Sequence, residues 1–286
     1  MIIRSFFIGL FIATTAAFGL GPDPASAQSA WQTIPDPAPL ATADTSGIAA
    51  VNGLGIYYET HGKTGPWIIL LHGGLGSALV WGNQVPAFAA HNPVLLIESR
   101  GHGRSGWDGK AITYEAMASD TVGVMDQLGV AKADIVGWSD GAIVALIMGI
   151  KYSDHVNKIV ADAANTVPEG VDTSVFDQLP YNLPSDRDEV IYKTLSPTPD
   201  HWPAFSAAIN TMWENEPHIT GQLGQIKAPV LVMVGDHDLI FPAHTKLIAD
   251  SIPGAKAVVV PDAAHFIVWQ QPAAFNMAVK TFLGVE

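Results

Sequence analysis

The chain has 286 residues, of which 48% are hydrophobic and 14% are charged. This composition is typical of a globular protein with a large core and argues against intrinsic disorder. The net charge of −13 argues against nucleic acid or anionic lipid as a partner, and the absence of cysteine excludes disulfides, thiolate metal sites and a cysteine nucleophile.

Residues 1–27 have the pattern of a secretory signal peptide. Arg4 stands near the start of an apolar stretch, and Ala25 and Ala27 supply the small residues that signal peptidase recognises. We predict cleavage after Ala27, a periplasmic or secreted protein, and no stable membrane association after cleavage. The alternative is an uncleaved membrane anchor, because the apolar stretch nearly reaches spanning length. Residues 28–46, rich in Pro, Ala, Thr and Asp, are predicted to form a flexible leader.

From Ile48 onward, short β-branched runs alternate with longer amphipathic stretches, which is the pattern of an α/β sheet. The predicted strands are a hairpin over residues 48–60 that turns near Asn52-Gly53, then runs from Trp67, Val94, Ala133, Lys158, Val230 and Ala257. Helices are predicted from Asp140 to before Asp154 and after Pro272. The core is therefore predicted in two parts, residues 47–165 and 227–286.

The alternation stops between these two parts, where Pro, Asp and large aromatic residues are frequent. A structureless loop of this length is unusual in a compact domain, so residues 166–226 are predicted to form a helical cap insertion over the sheet. The alternative is that they pack on one edge of the sheet. Four large side chains of this segment could face a pocket or join the cap to the sheet: Trp202, Phe205, Met212 and Trp213.

The sequence G-W-S-D-G at residues 137–141 places Ser139 between a predicted strand and a predicted helix. A sharp turn there lifts the serine hydroxyl above the sheet, and the two glycines keep side chains out of the crowded backbone. A serine hydroxyl is a poor nucleophile unless a base takes its proton. His265, in P-D-A-A-H-F after the last predicted strand, falls at the carboxyl edge of the sheet and is predicted to be that base.

Three aspartates are candidates for the acid that orients this histidine. Asp236 and Asp238 lie in G-D-H-D-L-I-F-P, directly after the strand that begins at Val230, and Asp162 ends the preceding predicted strand. Spacing does not separate the first two. The chain order serine, aspartate, histidine differs from the orders in chymotrypsin and subtilisin.

A glycine-rich stretch, L-L-H-G-G-L-G-S at residues 70–77, follows another predicted strand. Its backbone N–H groups can approach a substrate carbonyl, and one of them, with the N–H of Asp140, is predicted to form an oxyanion hole. A phosphate-binding loop is disfavoured because no Lys follows and the dinucleotide-binding spacing is absent.

These motifs together resemble the α/β-hydrolase-fold superfamily, close to its esterase, lactonase and cofactor-free haloperoxidase members, over residues 48–284. The markers are H-G-G-L-G-S, S-R-G-H-G-R-S, G-W-S-D-G, G-D-H-D-L-I-F-P and the late A-H-F. The resemblance implies the α/β-hydrolase fold, with a mostly parallel central sheet, helices on both faces and a small helical cap.

The same resemblance implies roles for individual residues. It makes Asp238 the acid, with Asp236 as the fallback. It makes the N–H groups of Gly74 and Asp140 the oxyanion donors, with Leu75 as the less favoured first donor. It also implies that His102 and Arg104 belong to a structural turn and take no part in the chemistry.

The prediction is a serine hydrolase that cleaves carboxylic esters or lactones through an acyl-enzyme on Ser139, with Asp238 and His265 completing the triad. The substrate is a small molecule, Trp202 and Trp213 are candidate substrate contacts, no metal or organic cofactor is implied, and the sequence does not indicate the oligomeric state. The alternatives with the same triad are a perhydrolase of the haloperoxidase type and a C–C bond hydrolase. An alternative from another class is a ligand receptor with slow turnover.

Overall fold

The computed structural model describes residues 29–172, 174 and 185–285, so the predicted signal peptide lies outside the described residues. An eight-stranded sheet forms the centre of the fold. Its strands are β1 (Thr45–Val51), β2 (Leu54–His61), β3 (Ile68–Leu71), β4 (Val94–Ile97), β5 (Ala133–Trp138), β6 (Val156–Asp162), β7 (Val230–Gly235) and β8 (Lys256–Val260).

Eight α-helices of the described residues surround this sheet. They are α1 (Val85–Ala89), α2 (Tyr114–Leu128), α3 (Asp140–Lys151), α4 (Asp186–Leu195), α5 (Trp202–Asn215), α6 (Pro242–Ser251), α7 (Ile267–Gln270) and α8 (Pro272–Leu283). Within the part of the chain that the structure describes, no helix combines the length and apolar character needed to cross a membrane.

The strand order is β1-β2-β4-β3-β5-β6-β7-β8. β1 and β2 pair antiparallel, as do β2 and β4, and the other neighbouring strands pair in parallel. The chain moves outward from β3 to β4 and then returns to the other side of β3 as β5. Such a reversal opens a crevice at the carboxyl ends of the strands. The predicted α/β-hydrolase fold and its strands are confirmed, including the hairpin that turns at Asn52-Gly53.

The central strands are buried on both faces, which explains their nearly continuous apolar sequence. Successive side chains of a strand point to opposite faces. In β3, Ile69 and Leu71 join a core cluster formed with α2, α3 and α6. Ile68 and Leu70 join a second cluster, formed with α1 and α8 on the other face.

The segment between β6 and β7 contains α4, α5 and a 3₁₀-helix at Thr220–Gln225. Ser185 begins α4 with a capping box, in which its side chain accepts the N–H of Asp188 and the Asp188 carboxylate accepts the N–H of Ser185. α5 buries Phe205 and Ile209 against the first core cluster. Residues 173 and 175–184 lie outside the described residues, and the cap boundaries 166–226 stay a prediction.

The segment before β1 differs from the expected flexible leader. Residues 29–44 lie against the fold, and β1 already begins at Thr45. The backbone N–H of Ala30 donates to Asp262 Oδ2 at 3.0 Å, and Gln270 Nε2 donates to the Thr33 carbonyl at 2.8 Å. Local composition could not indicate this, because the partners lie 232 and 237 residues away along the chain.

Candidate active site

Ser139 occupies the sharp turn between β5 and α3. Its backbone has φ 56° and ψ −121°, a left-handed conformation that costs energy for a residue with a side chain. The turn is held because the Ser139 N–H donates to the Asp162 carbonyl at 2.8 Å. A Cβ on Gly137 would collide with the Gly141 carbonyl, and a Cβ on Gly141 would collide with the Leu71 carbonyl. The motif therefore needs its glycines for close backbone packing.

The structure brings Ser139, His265 and Asp238 into one hydrogen-bonded chain. His265 Nε2 lies 2.9 Å from Ser139 Oγ, and His265 Nδ1 lies 2.9 Å from Asp238 Oδ1. The Ile240 N–H donates to the same Asp238 oxygen at 2.9 Å and fixes the carboxylate. When Nδ1–H donates to Asp238, Nε2 is free to accept the serine proton, which is the arrangement of a nucleophile with its base and orienting acid.

The two other candidate acids have different surroundings. Asp236 Oδ1 accepts the Ala263 N–H at 3.2 Å and lies 3.9 Å from His237 Nε2. Asp162 is fully buried, and neither of its carboxyl oxygens has a hydrogen-bond partner among the described residues. Burial, and then the charge of Asp238, raise the pKa of Asp162 well above its ordinary value. A carboxyl group that holds its proton is a poor partner for a protonated histidine.

The predicted oxyanion loop lies beside Ser139. Gly73, Gly74 and Leu75 line the same cavity as the serine, and the Gly76 N–H closes their turn on the Gly73 carbonyl at 3.1 Å. Leu75 has a positive φ of 59°, which turns the backbone sharply at this point. Asp140 is the first residue of α3, where a backbone N–H lacks a partner within the helix. The roles of the Gly74 and Asp140 N–H groups stay a prediction.

Two buried histidines support the oxyanion loop. The Ser99 N–H donates to His72 Nε2 at 3.0 Å, and His72 Nδ1 donates to the Gly73 carbonyl at 2.7 Å. His102 lies beside His72 and meets the edge of the Phe205 ring at a centroid distance of 4.9 Å. Burial lowers the pKa of His72 to about 4 and that of His102 to about 3. Both rings are therefore neutral at pH 7 and serve the structure of the loop.

The Asp140 side chain joins three helices next to the serine. Tyr114 Oη donates to its Oδ1 at 2.8 Å, and Trp213 Nε1 lies 3.1 and 3.0 Å from its two oxygens. Burial raises the pKa of Asp140 to about 6, although both donors oppose the shift. From the sequence, only the backbone N–H of Asp140 was a candidate, and Tyr114 was missed. The available signal was a charged side chain at the start of a largely apolar helix.

A cavity of about 320 Å³ opens at Ser139 and His265. Its lining is mostly apolar and comes from the oxyanion loop, the N-terminal segment, α4, α5 and α7, and α4 also places the charged side chains of Arg187 and Asp188 there. Trp213 lines the cavity, and its contact with substrate stays a prediction. Trp202 does not line the cavity: it packs inside the cap against Tyr192, at a ring-centroid distance of 5.3 Å. The two tryptophans share a face of α5 but are separated by about 16 Å along its axis, so the prediction for Trp202 is wrong.

In the ranges 29–172 and 185–285, together with residue 174, no group of three or more His, Asp or Glu side chains is arranged as metal ligands.

A family model described as "Alpha/beta hydrolase family" matches residues 68–278 of the chain. RutD of Caulobacter sp. strain K31, provisionally named a carbamate hydrolase, is 28% identical over an alignment of 266 residues that covers 81% of this chain and 97% of RutD. The 2-hydroxy-6-oxo-6-phenylhexa-2,4-dienoate hydrolase of Burkholderia cepacia is 27% identical over 290 residues, covering 86% of this chain and 98% of that enzyme.

A solved structure gives a third comparison. The enol-lactonase of Burkholderia xenovorans LB400 superimposes with a TM-score of 0.69 and 28% identity, covering 83% of this chain and 99% of the lactonase. The three similar proteins are named for three different kinds of substrate: a carbamate, a substituted dienoate and an enol-lactone. The comparisons thus support hydrolysis as the reaction and leave the scissile bond to be argued from the site.

Proposed function

The chain belongs to the alpha/beta hydrolase family, and from that premise we propose that it is a serine hydrolase that cleaves carboxylic esters or lactones through an acyl-enzyme on Ser139. The observation that carries this proposal is the hydrogen-bonded series Ser139, His265 and Asp238, with 2.9 Å between each pair of atoms, at the floor of a largely apolar cavity. An ester or lactone needs a nucleophile, a base and an oxyanion site, and the cavity supplies a candidate for each.

In the first step, Ser139 Oγ attacks the substrate carbonyl carbon while His265 Nε2 takes the hydroxyl proton. The carbonyl oxygen becomes an oxyanion, which the N–H groups of Gly74 and Asp140 stabilise. When the intermediate collapses, the bond to the leaving oxygen breaks and His265 gives that oxygen the proton. The alcohol then leaves, or in a lactone stays attached to the acyl group.

In the second step, His265 removes a proton from water, and the resulting hydroxide attacks the acyl carbon. Collapse of the second tetrahedral intermediate breaks the bond to Ser139 Oγ, which recovers its proton from His265. Asp238 accepts the Nδ1–H bond throughout and stabilises the protonated imidazole. The products are a carboxylic acid and an alcohol, or one hydroxy acid from a lactone.

The apolar lining favours a small substrate with an uncharged acyl or alcohol group next to the reacting carbonyl. The similarity to a protein named enol-lactonase makes a lactone part of the proposal. The signal-peptide pattern of residues 1–27 supports a periplasmic or secreted location, which stays a proposal alongside the activity.

A second candidate function is hydrolysis of a C–C bond next to a ketone by the same triad, favoured by the similarity to the Burkholderia cepacia hydrolase. Perhydrolysis is a third use of the same triad, and a ligand receptor with slow turnover is the alternative from another class. Cleavage of a carbon–carbon bond in a vinylogous diketone would identify the C–C hydrolase. Peroxide-dependent bromination would identify the perhydrolase, and a single turnover followed by tight product binding would identify the receptor.

The test is a panel of chromogenic acyl esters and lactones of increasing chain length, hydrolysed by the mature chain and by Ser139→Ala. We expect turnover of at least one class, and a loss of about 10³-fold or more in the variant because the triad acts as a unit. Ser251→Ala is the control, since its hydroxyl donates to the Leu247 carbonyl within α6. Undiminished hydrolysis by Ser139→Ala would reject the proposal.

A further inference from the structure

The segment at residues 29–44, here called the N-terminal strap, contributes to the cavity although it precedes the residues that the family model matches. We propose that this strap determines substrate size: Ile34 and Pro37 form one wall of the cavity and limit the acyl or alcohol group that it accepts. The inference rests on the proposed function and extends it to a segment outside the matched part of the family.

Gln270 fastens the strap to the loop that carries the histidine of the site. Its Nε2 donates to the carbonyls of Trp31, at 3.1 Å, and Thr33, at 2.8 Å. Its Oε1 accepts the N–H of Ala264 at 2.8 Å, directly before His265. One amide side chain therefore holds both the strap and the catalytic loop, which fixes their separation.

Trp31 fastens the strap to the loop that carries the triad acid. Its ring stacks on His237 with a centroid distance of 4.3 Å and an interplanar angle of 16°. His237 stands next to Asp238, and its N–H donates to the Ala263 carbonyl at 2.9 Å. The strap thus contacts the two loops that present Asp238 and His265 to the serine.

Further contacts follow along the strap toward β1. Ile34 and Leu40 pack against the second core cluster, and the Ala38 carbonyl lies so close to Gly82 that a side chain there would collide with it. Asp36 pairs with Arg187 of α4 at 3.1 Å, which joins the strap to the cap. The Asp36 side chain is 89% exposed, so we attribute the attachment to the apolar contacts and the Gln270 hydrogen bonds.

The result is a wall held from both ends and set beside the reacting groups. Ile34 and Pro37 share the cavity with Ser139, His265 and Trp269. A firmly held apolar wall discriminates between substrates by their volume. Each substrate methylene that the cavity accepts or rejects changes kcat/KM by about 10- to 200-fold. Substitutions in the strap should therefore alter the preference for substrate chain length more than they alter the ability of the site to hydrolyse esters.

The experiment measures kcat/KM for a short and a long p-nitrophenyl ester, acetate and octanoate, with Ile34→Trp, Pro37→Trp and Ile34→Ala. We expect the octanoate-to-acetate ratio to fall by about tenfold or more in the two tryptophan variants and to rise in Ile34→Ala. Thr42→Trp is the control, because it adds the same bulk at an exposed strap position and should keep the wild-type ratio. Thermal unfolding of each variant shows whether it is folded.

A second measurement of the chain-length preference does not need turnover. It compares the rates at which methyl- and octyl-phosphonofluoridates label the serine. If the ratios stay at the wild-type value in both folded tryptophan variants while hydrolysis still depends on Ser139, the strap inference is wrong and the proposed function stands. If neither ester is hydrolysed and neither phosphonate labels the serine, the proposed function is wrong and the inference falls with it.

Discussion

Ser139 combines a strained backbone with a hydrogen bond to His265. The positive φ is costly for serine, and the turn holds it through the Asp162 carbonyl and the tight glycine contacts around it. This conformation points Oγ toward His265 Nε2, 2.9 Å away. The strain and the position of the hydroxyl are thus produced by the same local packing.

Asp140→Asn is predicted to change how stability depends on pH. The native pKa of Asp140 is raised to about 6 from an ordinary value of 3.8, so the native state binds the proton more tightly than the unfolded chain between these values. The wild-type free energy of unfolding therefore falls as pH rises through this interval and stays lower above it. Asparagine cannot ionise, so the free energy of unfolding of Asp140→Asn should rise relative to that of the wild type, by about 3 kcal/mol at most.

Urea unfolding of both proteins at several pH values between about 4 and 7.5 measures this difference. The expected result is a gap in favour of Asp140→Asn that grows with pH and levels off above about pH 6. The same gap at every pH would mean that the Asp140 carboxyl does not titrate in this range.

Single residues show clearly what could be predicted from the sequence. Ser139 and His265 could be predicted because each follows a strand in a recognisable short motif, whereas only the family resemblance favoured Asp238 over Asp236. Tyr114 and the Asp140 side chain were not, because their contact joins residues 26 positions apart on two helices. Trp202 and Trp213 could not be separated, because both lie on the same face of one helix and only the packing around them differs.

At the level of elements, the turn between β5 and α3 depends on glycines that have no room for a side chain. Gly137→Ala places a Cβ against the Gly141 backbone, which cannot move without displacing Ser139. We expect the free energy of unfolding to fall by about 1–3 kcal/mol, with a loss of ester hydrolysis because the hydroxyl is displaced.

Gly221→Ala is the matched control, because a Cβ at Gly221 has no neighbouring atom within 4 Å. We expect the control to stay within about 0.5 kcal/mol of the wild type in chemical denaturation. Equal stabilities for the two variants would show that the turn tolerates a side chain and that its glycines are not required by packing.

Elements with a strong local signal were predicted well. β3, β4, β5 and β7 are short apolar runs, buried on both faces, and their identification as strands needed no knowledge of distant residues. The strap was not predicted, because its composition indicated a flexible segment while its attachment depends on Asp262 and Gln270. Local patterns specify strands and turns, whereas they do not specify contacts between the two ends of a chain.

For the whole molecule, the sheet topology explains why residues from distant parts of the sequence form one site. Ser139 follows β5, Asp238 follows β7 and His265 follows β8, and these parallel strands end at the same edge of the sheet. The cap helix α5 and the strap enclose this edge on the side of the cavity. The family membership explains the sheet and the order of the motifs, and the surrounding segments determine what can enter.

Ser139 is proposed as the nucleophile, and covalent labelling is a direct test of that role. Residues 28–286 would be incubated with a fluorophosphonate, and intact mass and peptide mapping would locate the adduct. We predict one adduct per chain, on Ser139, with labelling abolished in Ser139→Ala and strongly slowed in His265→Ala because the base is missing. An adduct on another residue, or an unlabelled Ser139 in protein that actively hydrolyses esters, would contradict it.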